Sequence, residues 1–392
     1  MIEPLASMIR NYAWGDLSAL ATIQGRPTAC EPEAELWMGA HPSASSVVVA
    51  TGQPLNEAIA ANPLEMLGET VAETFGQLPF LAKILAAAEP LSIQVHPSLD
   101  QAIAGFAREE AAGIERDAPD RTYRDANHKP ELICAITRFE AKCGFRRLAT
   151  SRRLFSHLTD PRAAGLAERL NQAGQSDEQV LSETLSWLLK LSPRALTDLV
   201  DGIVESSPAT SEFAKDLAWI EPMHMQYGAD VGIPIGLLLN HVVLEPGQAL
   251  FLGPGNVHAY LRGVGVELMA NSDNVIRCGL TPKHVDVDEL LAVVSCTPLD
   301  PPIQSPAGAM HRFESPVPEF ALTRIIEASS LRLESVGPEI IVVTDGSFTV
   351  RRDDGSAAVT MRSGDVVFLS PDDAAYLVDG AGALWRSTVG NI

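Results

Sequence analysis

Cysteine is scarce in this chain and forms no pattern. Cys30, Cys134, Cys143, Cys278 and Cys296 are odd in number and include no C-x-x-C pair. That disfavours a disulfide framework or a thiolate zinc site and suits a reducing, cytoplasmic setting. Long apolar runs are also missing: none approaches the ~20 residues of a membrane span. The opening MIEPLASMIRNYAWGD carries Glu3 and has neither a cationic segment nor a continuous apolar one, so no secretory signal is expected. Positive charge is short as well, with 29 Lys and Arg against 50 Asp and Glu, a net charge of −21. Such a chain repels phosphate backbones at long range and has no basic block to displace counterions, which excludes nucleic acid as a partner. Lysine is limited to Lys83, Lys129, Lys142, Lys190, Lys215 and Lys283. Gly263-Val-Gly-Val-Glu-Leu268 lacks the third glycine of a dinucleotide fingerprint, and neither a G-x-x-x-x-G-K-[ST] loop nor a G-x-S-x-G elbow occurs. Nucleotide-driven transfer and serine hydrolysis therefore lack support.

What is present is ample core-forming material, 392 residues of which 46% are hydrophobic and 20% charged, enough for two or three domains at about 150 residues each. From Arg147 to about Tyr227 the texture is helical. Ser176-Asp-Glu-Gln179 has capping-box spacing ahead of Leu181, Leu185, Leu188 and Leu189, and Ser192-Pro193 reads as an N-cap with proline at the first helical position. On either side lie short apolar runs: 45–50, 91–95, 132–136, 249–252, 340–343 and 366–369. Pro246-Gly247, Asp345-Gly346 and Asp354-Gly355 are turn signals beside them, as in a sandwich or barrel. Gly247-Gln-Ala-Leu-Phe-Leu-Gly-Pro254 and Gly364-Asp-Val-Val-Phe-Leu-Ser-Pro371 match in their turn glycine, strand and terminating proline, which predicts two related jelly-roll halves.

Three blocks place polar residues where structure alone would not ask for them. In Pro90-Leu-Ser-Ile-Gln-Val-His-Pro97, a period of two puts Ser92, Gln94 and His96 on one strand face and Leu91, Ile93 and Val95 on the other. Tyr123-Arg-Asp-Ala-Asn-His-Lys-Pro-Glu131 packs Asp125, His128, Lys129 and Glu131 at the entry to an apolar strand. Gly255-Asn-Val-His-Ala-Tyr260 puts His258 just after the first repeat copy, where the second copy has Ala375, and leads on to Glu267, Arg277 and Lys283. Together His96, His258, Glu131 and Gln94 form a nitrogen and oxygen donor set that suits zinc first, with manganese, iron or cobalt behind it.

PLSIQVHP, YRDANHKPE and HAYL followed by VELMANSDNVIRCGLTPK, in that order and with Asn11-Tyr-Ala-Trp-Gly15 and Ala34-Glu-Leu-Trp-Met-Gly-Ala-His-Pro42 ahead of them, resemble the type I phosphomannose isomerases. The resemblance implies a mainly β architecture: a cupin (jelly-roll) catalytic domain over 1–147 and 229–300, a helical insertion over 148–228, and a metal-free cupin-like domain over 301–392. It implies interconversion of mannose 6-phosphate and fructose 6-phosphate through an enediol, with one Zn2+ per chain held by Gln94, His96, Glu131 and His258. Arg277 would be the catalytic arginine, and Ser92, Lys129, Glu267 and Lys283 would line the substrate pocket. Lys129, Glu267 and Lys283 all remain candidates for the base. The partner expected is a small sugar phosphate, met by a cytoplasmic monomer with no membrane or nucleic-acid partner. The competing readings are an iron oxygenase using two histidines and a carboxylate, and a sugar-binding cupin without turnover.

Overall fold

A computed structural model of the chain describes residues 2–206, 211–335, 337–371 and 375–391. Two large β-sheets dominate it, with a helical module inserted between strands of the first. The first sheet contains Met8–Arg10, Glu35–Gly39, Phe80–Ala87, Ile93–Val95, Glu131–Ala135, Phe139–Phe145, Leu239–Leu244, Ala249–Leu252, His258–Ala270, Ile276–Gly279 and the short Ile303–Gln304. Its organising element is His258–Ala270, which belongs to both walls of the jelly roll. The His258 end pairs with Phe139–Phe145 and with Gln94, and the Gly263–Ala270 end pairs with Phe80–Ala87 and Glu131–Ala135. The register shifts between Tyr260 and Arg262, and Gly263 follows at φ +131°, where a Cβ would lie 2.7 Å from the Arg138 carbonyl oxygen. Only glycine lets the strand turn this corner against its neighbour.

The second sheet contains Met310–Arg312, Ala321–Leu333, Glu339–Arg352, Ala358–Arg362, Val366–Leu369 and Tyr376–Thr388. Two strands come from the start of the chain: Ile2–Ala6 pairs with Val366–Leu369, Ile2 opposite Leu369, and on its other side with Val47–Val48. One apolar core spans the sheets, joining Leu36, Phe80, Leu132 and Leu268 of the first to Phe313, Phe320, Phe368 and Trp385 of the second half.

The repeat has a backbone counterpart. Both copies form a four-residue strand, Ala249–Leu252 and Val366–Leu369, and the leading glycines share a conformation, Gly247 at φ +90° and Gly364 at φ +91°. Asp345-Gly346 departs from the turn expected of it. It lies inside the continuous strand Glu339–Arg352, at a register shift. A Cβ on Gly346 would come within 2.1 Å of the Ala381 carbonyl oxygen, so the glycine serves a close strand crossing.

The inserted helices are Leu148–Ser156, Ala164–Leu170, Asp177–Leu189, Pro193–Ser206, Ala214–Leu217 and Ile220–Tyr227. Leu199, Val200 and Ile203 form the buried side of Pro193–Ser206, and the Ser192 hydroxyl accepts from the Ala195 amide. Ser176 accepts from the Gln179 amide, but the Gln179 side chain turns to Glu183 instead of closing a box. The reciprocal capping box is Ser98 with Gln101, which starts Leu99–Ala111 directly after His96. No helix among the described residues is long and apolar enough to cross a membrane.

Candidate active site and metal centre

The first sheet brings the three polar blocks into one place. Across it, His258 is the strand partner of Gln94, and Gln94 is in turn the partner of Arg277. Glu131 opens its strand opposite Met269. His96, Glu131 and His258 are all but fully buried, and they offer ligand atoms within 4.8 Å of one another. The His96 Nε2 lies 3.4 Å from Glu131 Oε1, His258 Nε2 lies 3.3 Å from Glu131 Oε2, and the Gln94 amide nitrogen is 3.3 Å from His258 Nε2.

These spacings and the partners behind them fit a metal. Ligands at 2.0–2.1 Å from a tetrahedral centre lie roughly 3.3 Å apart. Each imidazole is oriented by a backbone carbonyl, which can only accept: His96 Nδ1 donates to Asn274 O at 2.8 Å and His258 Nδ1 to Asn256 O at 3.0 Å. Both rings are thereby fixed as the tautomer whose Nε2 carries a free lone pair. His96 Nε2 and Glu131 Oε2 are buried without a hydrogen-bond partner, a costly condition that a cation between them would relieve. Burial pushes the His96 imidazole down to about 4, against the pull of Glu131, so it stays neutral. Burial would raise Glu131, yet the Lys129 charge beside it holds it well below the usual carboxylate range. An anionic Glu131 beside a neutral His96 is the protonation state a divalent ion requires of those two ligands. For Gln94 to join them, its amide must turn so that oxygen faces inward.

A cleft of about 480 Å³ opens beside this centre and is lined by Ser92, Gln94, Lys129, Glu131, Glu267, Arg277 and Lys283 among others. All of the residues singled out as substrate-contacting from the sequence therefore face one space, and His96 and His258 lie behind it. Lys129 Nζ is 3.2 Å from Glu131 Oε1. Glu267 is buried and bound by Lys83 at 3.1 Å, and Lys83 also reaches Glu35 at 3.4 Å. Burial raises the Glu267 carboxyl, with Lys83 opposing and Glu131 and Glu35 adding to the rise. Burial opposes the charge on Lys83, but Glu35 and Glu267 outweigh it and keep the ammonium protonated.

Another part of the cleft lining is cationic. Arg124, Arg277 and Lys283 line it, and none of the three has a carboxylate partner among the described residues. Burial and the Arg124 charge lower Arg277, and burial with both guanidiniums lowers Lys283. Like charges held together unpaired, in a chain of net charge −21, make a candidate anion site. The loop carrying Lys283 is bent at Leu280, whose φ is +51°. Asp230 holds that bend by accepting from the Leu280 and Gly232 amides at 2.6 Å.

Several residues of the site were not singled out from sequence. Lys83 had a signal, as a lone charge inside the otherwise apolar strand Phe80–Ala87. Glu35 and Trp37 share a strand face, with Trp37 Nε1 donating to Glu35 at 2.8 Å and Lys83 5.2 Å from the Trp37 ring. Arg124 and Asp230 gave none, because each matters through a partner distant in sequence.

A jelly roll whose wall presents two imidazoles, a carboxylate and an amide to an open cleft is a cupin with a candidate metal centre. The profile of the phosphomannose isomerase type I catalytic domain matches residues 2–148. The mannose-6-phosphate isomerase of Salmonella typhimurium is 38% identical over 405 residues, covering 98% of this chain and 99% of that protein. The Homo sapiens mannose-6-phosphate isomerase is 30% identical over 414 residues, covering 96% and 95%. A zinc-bound holo structure of mannose 6-phosphate isomerase superposes with a TM-score of 0.91 at 36% identity, over 100% of both chains. The chain belongs to the type I phosphomannose isomerase family.

Proposed function

We infer that the cleft interconverts mannose 6-phosphate and fructose 6-phosphate, and the observation that carries this reading is the adjacency of an oriented metal-ligand set and an unpaired cationic cluster in one cleft. Gln94, His96, Glu131 and His258 would hold one zinc ion per chain. When bound, zinc supplies Lewis-acid polarisation of a substrate oxygen.

The remaining work falls to the chain's own side chains. Arg124 and Lys283, both exposed at the cleft mouth, would take the phosphate. Arg277 is the half-buried strand neighbour of Gln94, so its guanidinium would face the reacting carbons and oppose the negative charge that builds on oxygen as the enediol forms. Ser92 would donate to a sugar hydroxyl. Moving a proton between C2 and C1 needs a base beside those carbons. Lys129 and Glu267 both flank the ligand set, whereas Lys283 stands at the anion end, which favours Lys129 or Glu267 for the transfer and Lys283 for binding.

The three-part division of the chain is likewise a proposal, supported by the helical run 148–227 between strands of the first sheet, with Ile2–Ala6 lent to the second. Five free thiols, four of them buried, favour a reducing cytoplasm. The net charge of −21 favours a monomer through self-repulsion.

A coupled assay following mannose 6-phosphate to fructose 6-phosphate tests the function. Activity is expected to vanish with a chelator and return on adding zinc to one equivalent per chain, while His258→Ala retains no tight zinc. Full turnover in the metal-free protein, or no turnover in the zinc-loaded one, would sink the reading.

A further inference from the structure

Residues up to Lys283 line the cleft, but one contact to its central loop comes from the part of the chain that forms the second sheet. Residues 124–131 run along the cleft and end at Glu131. Upstream, the loop is fastened within the first sheet by Asn274, which accepts from the Arg124 amide at 2.7 Å and donates to the Asp125 and Asn127 carbonyls at 2.8 and 2.9 Å. Downstream, the Pro130 carbonyl accepts from the Ala270 amide at 3.2 Å. Between these two fastenings stand His128 and Lys129. The His128 ring is held by Glu319, with Nε2 2.7 Å from Oε1 and side chains only 13% and 9% exposed.

Glu319 is itself rigidly set. It precedes strand Ala321–Leu333, and the next residue, Phe320, is fully buried in the core shared by the two sheets. Before it, the Pro318 carbonyl accepts from the Gly390 amide at 2.9 Å, at an approach so close that a Cβ on Gly390 would sit 2.1 Å from the Val317 carbonyl oxygen. A carboxylate buried at the joint between the halves, with its second oxygen lacking any hydrogen-bond partner, adds little stability of its own. Among the described residues, the hydrogen bond its carboxylate makes is to His128 of the loop.

We propose that Glu319 is a positioning residue for the isomerase site: through His128 the C-terminal half fixes the stretch of loop from which Lys129 reaches into the cleft. This rests on the isomerase reading above and adds a role for the second sheet, none of whose described residues lines the cleft. Neither Glu319 nor His128 borders the cleft, so Glu319 acts on the placement of Lys129 and leaves the phosphate end untouched.

The test compares wild type, Glu319→Ala and Glu319→Gln as full-length, zinc-loaded proteins, with zinc content, Tm and steady-state kinetics measured on each. Glu319→Ala is expected to keep one zinc per chain and a near-normal KM but to lose about tenfold in kcat, since small misplacements of a reacting group are costly. Glu319→Gln preserves an acceptor for the imidazole and is expected to recover most of that loss. A kcat for Glu319→Ala within twofold of wild type at full zinc occupancy would overturn the proposal, as would a loss that simply follows zinc content or the folded fraction. An inactive zinc-loaded wild type would instead overturn the isomerase reading beneath it.

Discussion

At the scale of single residues, the cations of the cleft divide by depth. Arg277 lies beside Gln94 in register, and Arg124 and Lys283 lie further out. A hydrogen bond to a charged group is worth about 1.5–3 kcal/mol, so removing a phosphate contact should weaken binding roughly tenfold or more. Arg124→Ala is therefore expected to raise KM by about that factor with little change in kcat. Arg277→Lys is expected to act mainly on kcat, because a flexible ammonium cannot reproduce the planar fork of a guanidinium near the reacting oxygens. Steady-state kinetics on both variants decide it, and the opposite pattern would exchange their roles. The candidate ligands stand out in the sequence itself: strand alternation marks Gln94 and His96, a charged block at a strand entry marks Glu131, and the position four residues past the repeat holds His258 in one copy and Ala375 in the other. Arg124 was not, since its importance depends on Arg277 and Lys283 lying beside it, a proximity that no local spacing records.

At the scale of elements, the helical module is fastened to the first sheet by a buried charge cluster. Asp216, in the helix Ala214–Leu217, pairs with Lys142 Nζ at 3.0 Å and with Arg146, while Trp219 Nε1 donates to Glu140 at 3.0 Å. The starts of Asp177–Leu189 and Pro193–Ser206 could be read from their capping residues and the β character of the flanks from short apolar runs, but this tether could not, because Lys142 and Asp216 are 74 residues apart. Removing one partner from a buried pair leaves the other charge uncompensated, so Asp216→Ala should cost about 3–5 kcal/mol of stability. Burial pushes the Lys142 ammonium down to about 8 from 10.5, with Asp216 opposing and Arg146 adding to the fall. Between those values the unfolded chain binds more protons at this site than the folded one, so the contribution of Lys142 makes stability rise with pH across that window. Below the folded value the cost of burying the charge is borne in full. Thermal unfolding of wild type and Lys142→Met over that range should show the rise only in wild type, and parallel curves would contradict the assignment.

At the scale of the whole molecule, the two halves that the repeat suggests are not independent bodies. The second sheet has filled its own interior with a satisfied polar group: Glu339 accepts from Tyr376 at 2.6 Å and from Arg386 at 2.7 and 2.6 Å. No histidine follows His311 in the sequence, so this half keeps the strand device of the first without its donor set. What it retains is the shared apolar core. Phe313, Phe320, Phe368 and Trp385 pack in one cluster with Leu36, Phe80, Leu132 and Leu268, and Ile2–Ala6 depends on Val366–Leu369 for its pairing. Exposing one large apolar side chain costs about 1.5–3 kcal/mol, and a whole domain is stable by only about 5–15 kcal/mol. Cutting the chain after residue 300 strips the cover from many such side chains at once, although every expected zinc ligand lies before the cut. A protein of residues 1–300 is therefore expected to lack a cooperative thermal transition and to aggregate on expression. Should it instead purify as a folded monomer that binds one zinc ion, the shared core would be dispensable and the second half would be an appendage to a self-sufficient catalytic domain.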